Sequence, residues 1–339
     1  MKLKFSFLTL FVIFSANAVL AALEVPLVLR WNSANTFSYA PDQQVKEIAW
    51  SEFYRLDMGI DSLRYHELSL NLEVRSKANF INTYLDLYQA DITYHADIID
   101  FGAEIKPSGY ALEYQLHPSR IINPDMDDHL FLPTRFNGIF IAYPSAINIK
   151  LEAGGNFYNL ATGRLTEKLP LFNKRGAISL IQEIQTFDSH WHKPVVIGAA
   201  EFNYESPDWA ISSTAAAAYY PEYDSRPSDF TPFFHFETNK TLVPGFSLYL
   251  QGIYKELNPD KNSHKSIDAA LGKKLSKFML SAGSKLDYIH KNDQLTPYLV
   301  LKWIPSPGQQ LGAYYRCILS DSGSDLHQAG LTAELSFGF

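Results

Sequence analysis

The feature that most constrains this chain is an alternation of apolar and polar residues with a period of two. It is clearest in the final stretch, residues 327–339. One parity there is apolar throughout: Ala329, Leu331, Ala333, Leu335, Phe337 and Phe339. Successive side chains of a β-strand point to opposite sides, whereas a helix would scatter these residues around its circumference. The stretch therefore predicts a strand with one apolar face.

The same alternation returns along the chain, for example at residues 68–75, 246–255 and 278–288. Turn-forming clusters separate the alternating segments at intervals of roughly 30 to 37 residues, about one hairpin of two membrane-crossing strands. The short clusters are 75–79, 106–109, 143–146, 172–175, 205–208, 241–245, 272–277 and 305–308. Longer polar segments lie between them: 61–66, 117–133, 186–194, 220–229, 256–265, 290–294 and 320–325. The pattern predicts tight turns at one end of a sheet and loops at the other.

Short turns at one end, longer loops at the other and a terminal aromatic residue resemble the porin-like β-barrel proteins of the bacterial outer membrane. The resemblance implies an all-β fold, a transmembrane antiparallel up-and-down β-barrel of about 16–18 strands. It also implies a Gram-negative outer-membrane location, tight turns on the periplasmic side, and recognition of Phe339 by the barrel-insertion machinery. A soluble sandwich or propeller would share the local alternation, but no blade repeat is visible.

The N-terminal region divides into two parts before the barrel. Residues 1–21 combine Lys2 and Lys4 with an apolar run and small residues, which is the layout of a signal peptide. Residues 22–46 carry only a brief apolar stretch, which fits a lead-in, an extra strand or a small plug, and the barrel is expected over 47–339. No later window is apolar enough for a membrane-spanning helix. Cys317 is the only cysteine, so no disulfide is expected.

The charge of the chain limits the kinds of partner that it can bind. The formal net charge of -7 argues against nucleic acid, which would require a basic excess. In a barrel the polar parity points inward, and it carries both signs. The predicted lumen-lining residues are Arg55, Asp57, Asp61, Glu73, Arg75, Glu201, Lys255, Lys285 and Asp287. Hydrated lumen charges act on passing solutes, so we expect an outer-membrane channel for passive passage of small hydrophilic solutes, with no enzymatic activity, cofactor or metal.

Three alternatives remain open. His264 and Ser266 have the His-x-Ser spacing of outer membrane phospholipase A and lipid A deacylases, but Ile267 stands where those families have Asn, and the pair borders a loop. A loop metal site could use donors from the set Asp125, Asp127, Asp128, His129, Asp188, His190 and His192, although an ordinary hydrophilic loop explains them better. Finally, the barrel could be a non-conducting binding or assembly protein, blocked by residues 22–46 or 117–133.

Overall fold

A computed structural model describes residues 27–40, 48–79, 83–112, 115–118, 130–155, 160–187, 193–222, 228–257, 262–289, 292–321 and 325–338. These residues form strands β1 to β18, with short or irregular connections between them. Their bounds are β1 Leu27–Tyr39, β2 Ile48–Tyr65, β3 Leu68–Asn79, β4 Thr83–His95, β5 Asp100–Tyr110, β6 Phe131–Pro144, β7 Asn148–Gly155, β8 Leu160–Leu171, β9 Gly176–Phe187, β10 Val195–Glu205, β11 Trp209–Tyr220, β12 Asp229–Val243, β13 Phe246–Leu257, β14 Asn262–Leu275, β15 Phe278–Ile289, β16 Asn292–Ser306, β17 Gln309–Ser320 and β18 Leu326–Gly338.

The sheet closes on itself. Each strand pairs antiparallel with its neighbours in sequence, and β1 pairs with both β2 and β18. The closing register runs from Val28 opposite Gly338 to Tyr39 opposite His327. Closure leaves no sheet edge with unpaired backbone groups, which is the condition for crossing a bilayer with strands. The prediction of an all-β antiparallel barrel is confirmed, and its sheet is 18-stranded.

The barrel begins earlier than the sequence indicated. Residues 27–39 form β1, a full wall strand, so the boundary at residue 47 is wrong for this segment. Of the three alternatives for residues 22–46, the extra strand is the one that the structure shows over 27–39. Ser33 and Asn35 interrupt the apolar parity set by Leu27, Leu29 and Trp31, and this weakened the alternation. The predicted signal peptide, 1–21, lies outside the described residues.

The turn assignment is correct from β6 onward and wrong before it. The tight turns predicted between residues 143 and 308 all fall at strand connections, whereas 75–79 and 106–109 fall in β3 and β5. The true early turn, at His66 and Glu67, contains neither glycine nor proline, and His66 takes a positive φ of 53°. Pro107 and Gly109 accompany a register shift between β5 and β6. The proline and glycine that resembled a turn in the sequence therefore mark a bulge within the strand.

The two faces of the strands differ sharply. Large apolar side chains on one face are exposed, as at Ile139 (65%), Ile267 (63%) and Leu331 (59%). On the other face, Glu237 and Asp268 are fully buried. An outer surface with this much contiguous apolar area is suited to hydrocarbon rather than water. Among the described residues, no helix is long and apolar enough to cross a membrane.

The connection from β5 to β6 identifies the inner face. Its described residues, 111–112, 115–118 and 130, contact β12, β13 and β16. These strands lie across the barrel from β5 and β6 in the strand order. Because only the lumen separates the two sets of strands, the connection must fold inward. We refer to these described residues, 111–112, 115–118 and 130, as the inward loop.

Candidate functional site: the lumen and its inward loop

A buried carboxylate on β12 anchors the inward loop. Glu237 is 0% exposed, and its Oε2 accepts a hydrogen bond from the backbone N–H of Leu116 at 2.8 Å. Its Oε1 accepts from the backbone N–H of Gln115 at 3.2 Å and from Nε2 of Gln251 at 2.9 Å. The Nε2 atom of His235 lies 3.1 Å from the same oxygen. A buried carboxylate is tolerated when several donors surround it, and here two of those donors belong to the loop backbone.

Further hydrogen bonds fix the same part of the loop. Asn239 donates from Nδ2 to the carbonyl oxygen of Leu116 at 2.8 Å. The Nε2 atom of His117 lies 2.9 Å from the Tyr298 hydroxyl, which donates to Oδ1 of Asp268 at 2.7 Å. The backbone of Leu116 and the side chain of His117 are therefore both held by residues of the barrel wall. We call the inner residues of β12–β16 that hold the loop the loop-side wall.

The returning end of the loop is held by apolar packing and one ammonium group. Phe131 stacks on Phe233 of β12, with ring centroids 4.9 Å apart and an interplanar angle of 9°. Ile197 belongs to the same buried cluster. Lys255 donates from Nζ to the carbonyl oxygen of Leu130 at 2.8 Å. The loop thus occupies lumen space next to β9–β13 and narrows the passage there.

The opposite wall is built from ion pairs. Asp57 is 2% exposed and lies between two arginines, with Arg75 Nε at 2.9 Å and Arg55 Nη2 at 2.7 Å. Glu73 lies 3.4 Å from Nη2 of Arg75 and 4.0 Å from Nη1 of Arg30. Among the described side chains of this cluster, three guanidinium groups face two carboxylates. The cluster is therefore paired within the sheet.

A bulge in β4 supports this cluster. Glu73 pairs with Gln89 and Val74 with Leu87, so Tyr88 is an extra residue in its strand. The Cζ atom of Arg75 lies 3.1 Å from the centre of the Tyr88 ring. Bulges re-aim side chains, and an aromatic face attracts a guanidinium group. Arg75 is consequently held on both sides, by Asp57 and by Tyr88.

A second set of charges continues the wall across β5, β7 and β8. Lys150 Nζ lies 2.8 Å from Glu104, and Lys106 contacts both Glu104 and Glu152. Arg164 donates from Nη1 to the Ser108 hydroxyl at 3.0 Å. Because β5 and β7 each carry both signs, the charges largely neutralise each other locally. We call the inner charged residues of β1–β9 the charged wall.

The remaining predicted lumen residues have the following positions. Glu201 pairs in register with Ser179 and Thr214, whose side chains are buried on the inner face. Lys285 Nζ lies 3.4 Å from Asp287, which also lies 3.0 Å from Nε2 of His264. Lys255, described above, contacts the inward loop. The side chain of Asp61 and residue Phe339 lie outside what the structure describes.

The hydrolase candidate does not have the geometry it requires. Ser266 is 2% exposed and shares the inner face with Asp268, which contacts Tyr298 below the loop. A lipid hydrolase of the phospholipase type would present its serine to the bilayer. The predicted loop donors, 125, 127–129, 188, 190 and 192, lie outside the described residues. Among the residues that are described, no group of three His, Cys, Asp or Glu side chains could hold a metal ion.

Sequence reasoning missed the residues that organise the lumen. Glu237, Asn239, Asp268 and Tyr298 were not selected, although the first two lie on the parity opposite to that of Phe234 and Phe236. That alternation indicates their face but not their partners. The hydrogen bond between Leu116 and Glu237 joins residues 121 positions apart in sequence, and no local pattern encodes such a contact.

Comparison with known proteins supports the fold. No family model matches the chain, and no curated protein matches it in sequence. Among solved structures, OpdK of Pseudomonas aeruginosa, determined with vanillate, matches with a TM-score of 0.56 at 8% identity, covering 93% of this chain and 99% of that one. OccK2 (OpdF) of the same species, determined with glucuronate, matches at 0.59 and 7% identity, covering 92% and 98%. A BenF-like porin from Pseudomonas fluorescens Pf-5 matches at 0.61 and 9% identity, covering 93% and 99%.

These similarities define a class of fold. The chain has the β-barrel fold of outer-membrane porins, as the resemblance in its sequence predicted. At identities of 7 to 9%, the likeness concerns architecture, and the function is argued from the chain's own residues.

Proposed function

We propose that this protein is a channel of the bacterial outer membrane through which small hydrophilic solutes diffuse passively. The observation that carries the proposal is the 18-stranded closed barrel with a charged inner face. A barrel of roughly 16 to 18 strands is too wide for its own side chains to fill, so it encloses water unless another segment occupies it. The predicted lumen residues and the two walls would then set which ions and solutes pass.

The arginine cluster supports a preference among these solutes. Arg30, Arg55 and Arg75 bring three guanidinium groups together on the inner face, beside Asp57 and Glu73. Guanidinium groups bind carboxylates in a planar geometry, which ammonium groups do not match. Vanillate and glucuronate, named with two structures of similar fold, both carry a carboxylate. We infer that small organic acids are among the solutes that pass.

A non-conducting barrel is the second candidate, because the inward loop packs inside the lumen. We propose no enzymatic activity and no cofactor. The inward-facing Ser266 argues against the lipid-hydrolase alternative in particular. We further propose that outer-membrane lipid surrounds the apolar face and that Phe339 is read by the insertion machinery. Deleting Phe339 leaves the rest of β18 in place and should reduce the yield of heat-modifiable barrel in cells.

Reconstitution into a planar bilayer tests the proposal. Purified wild-type protein should give stepwise ion conductance, and carboxylate-bearing solutes should reduce the current reversibly. A preparation that inserts, shows heat-modifiable migration and never conducts would establish the blocked barrel instead. A lipid-hydrolysis assay in parallel should be negative for wild type. Hydrolysis lost in Ser266→Ala would overturn the channel proposal.

A further inference from the structure

An outward-facing lysine lies between two tyrosines at the loop end of the barrel. Phe234, Tyr254, Lys265 and Tyr288 stand opposite one another on consecutive strands β12 to β15. The Nζ atom of Lys265 is 5.9 Å from the centre of the Tyr254 ring and 5.8 Å from that of Tyr288. Among the described residues, no carboxylate lies within ion-pair distance of this ammonium group. Within the described part of the chain, this ammonium group therefore contacts aromatic rings and no acid.

A groove of about 740 Å³ adjoins Lys265 on the same outer face. Its floor is formed by small outward residues, which leave space between their larger neighbours: Ala200, Ala215 and Gly252. A Cβ atom added at Gly252 would meet nothing within 4 Å, so the space above it is open. Exposed apolar side chains border the groove: Phe234, Phe236, Ile267 and Leu286. The groove has the shape and polarity to hold a hydrocarbon chain.

The height of Lys265 matches the boundary of the bilayer. β14 runs from Asn262 at the loop end to Leu275 at the turn end. A tilted strand crosses an apolar band of about 25 Å in roughly ten residues, so Lys265 lies where that band ends. A second outward lysine on the same strand, Lys273, lies near the opposite boundary, 4.4 Å from the Phe246 ring. Lys265 therefore faces lipid head groups, whereas the groove faces the adjoining acyl chains.

We propose that Lys265, Tyr254, Tyr288 and the groove form a binding site for an anionic, phosphate-bearing lipid. The phosphate accepts hydrogen bonds from the ammonium group of Lys265, and one acyl chain lies over Gly252 between Phe236 and Ile267. An unpaired cation at a membrane boundary is stabilised by an anionic head group, and apolar side chains over small residues favour a fixed chain. The site is independent of whether the lumen conducts.

Native mass spectrometry of the full chain released from detergent tests this site. The probes are phosphatidic acid, which is anionic, and phosphatidylcholine with the same acyl chains, which is zwitterionic. Wild type should retain phosphatidic acid preferentially. Lys265→Gln should reduce that preference about fivefold, because it removes the ammonium group beside the groove, where the lipid is held. Lys265→Arg should preserve it, because the charge is kept.

Two matched variants separate the site from general lipid binding. Lys273→Gln removes the same charge from the same strand at the opposite boundary and should leave the preference unchanged. Gly252→Leu fills the groove and should lower the retention of both lipids, while heat-modifiable migration shows that the barrel is intact. Equal preference in Lys265→Gln and wild type would overturn the proposal. So would an equal loss in Lys273→Gln, or undiminished retention in Gly252→Leu.

Discussion

The two inner walls of the barrel satisfy their buried charges in different ways. On the charged wall, carboxylates such as Asp57 and Glu104 are neutralised by arginine and lysine side chains of the sheet itself. On the loop-side wall, Glu237 is surrounded by uncharged donors and two backbone N–H groups from the inward loop, with His235 beside it. The first arrangement is complete within the sheet, whereas the second needs the loop. We therefore propose that charge on one wall sets selectivity and that charge on the other sets the width of the passage.

The roles of both walls require that the inner and outer faces of the strands are as described. Substitutions at two adjacent residues of β8 test this, and they should give the largest effect. Leu165 faces outward, opposite the exposed Leu151, and Thr166 faces inward, opposite the buried Ile181. Leu165→Arg should lower the free energy of unfolding in phospholipid vesicles by about 2 to 4 kcal/mol, because it places a charge in hydrocarbon. Thr166→Arg, at the same depth, should cost much less. Equal losses in urea titrations would contradict the assignment of faces.

The next largest effect is expected at the loop anchor. Glu237→Ala leaves the N–H groups of Gln115 and Leu116 without their acceptor, at about 1 to 3 kcal/mol for each buried group. The loop should then leave the loop-side wall, and single-channel conductance should rise about twofold, given that a wider aqueous path carries more current. Glu237→Gln keeps one acceptor oxygen and should give an intermediate value.

Lys255→Gln provides a smaller change on the same wall, since it affects only the bond to the Leu130 carbonyl. It should raise conductance by less than Glu237→Ala does. An intact barrel whose conductance is the same in Glu237→Ala and wild type would show that the anchored loop does not limit the passage.

The charged wall should respond in selectivity rather than in conductance. Asp57→Asn removes a negative charge between Arg55 and Arg75 and should raise the ratio of anion to cation permeability about twofold at 0.1 M salt. The effect should shrink at 1 M, where the Debye length is about 3 Å. Glu167→Gln removes one acidic charge from the outer face and serves as the control. Reversal potentials that shift equally in both variants would show that the lumen charges do not set the ion selectivity.

Local patterns in the sequence predicted what is local in the fold. Alternation located most strands, and turns with glycine at positive φ, such as Gly245 (82°) and Gly308 (76°), were identified correctly. The turn at His66 was missed because its residues carry no turn signature. Conversely, Pro107 was read as a turn although it lies within β5. A strand can contain such a residue where its register shifts.

Contacts across the lumen could not be predicted from those local patterns. The parity of β12 places Glu237 on the inner face, but its partners lie on a loop more than a hundred residues earlier in the chain. Likewise, His264 and Ser266 suggested catalysis by their spacing alone. Only the register of β14, which sets Ser266 on the same face as Asp268, directs that serine away from lipid. Burial and face require the closed barrel as well as the sequence.

Cysteine accessibility during conduction tests most directly whether the inner face is an aqueous passage. In a Cys317→Ser background, Glu201→Cys places a thiol on the inner face and Leu165→Cys places one on the outer face. A charged, membrane-impermeant methanethiosulfonate reagent added to a conducting planar bilayer should reduce the current in steps for Glu201→Cys and leave Leu165→Cys unchanged. Current that is unaffected in Glu201→Cys, or equally reduced in both variants, would contradict a solute path along this face.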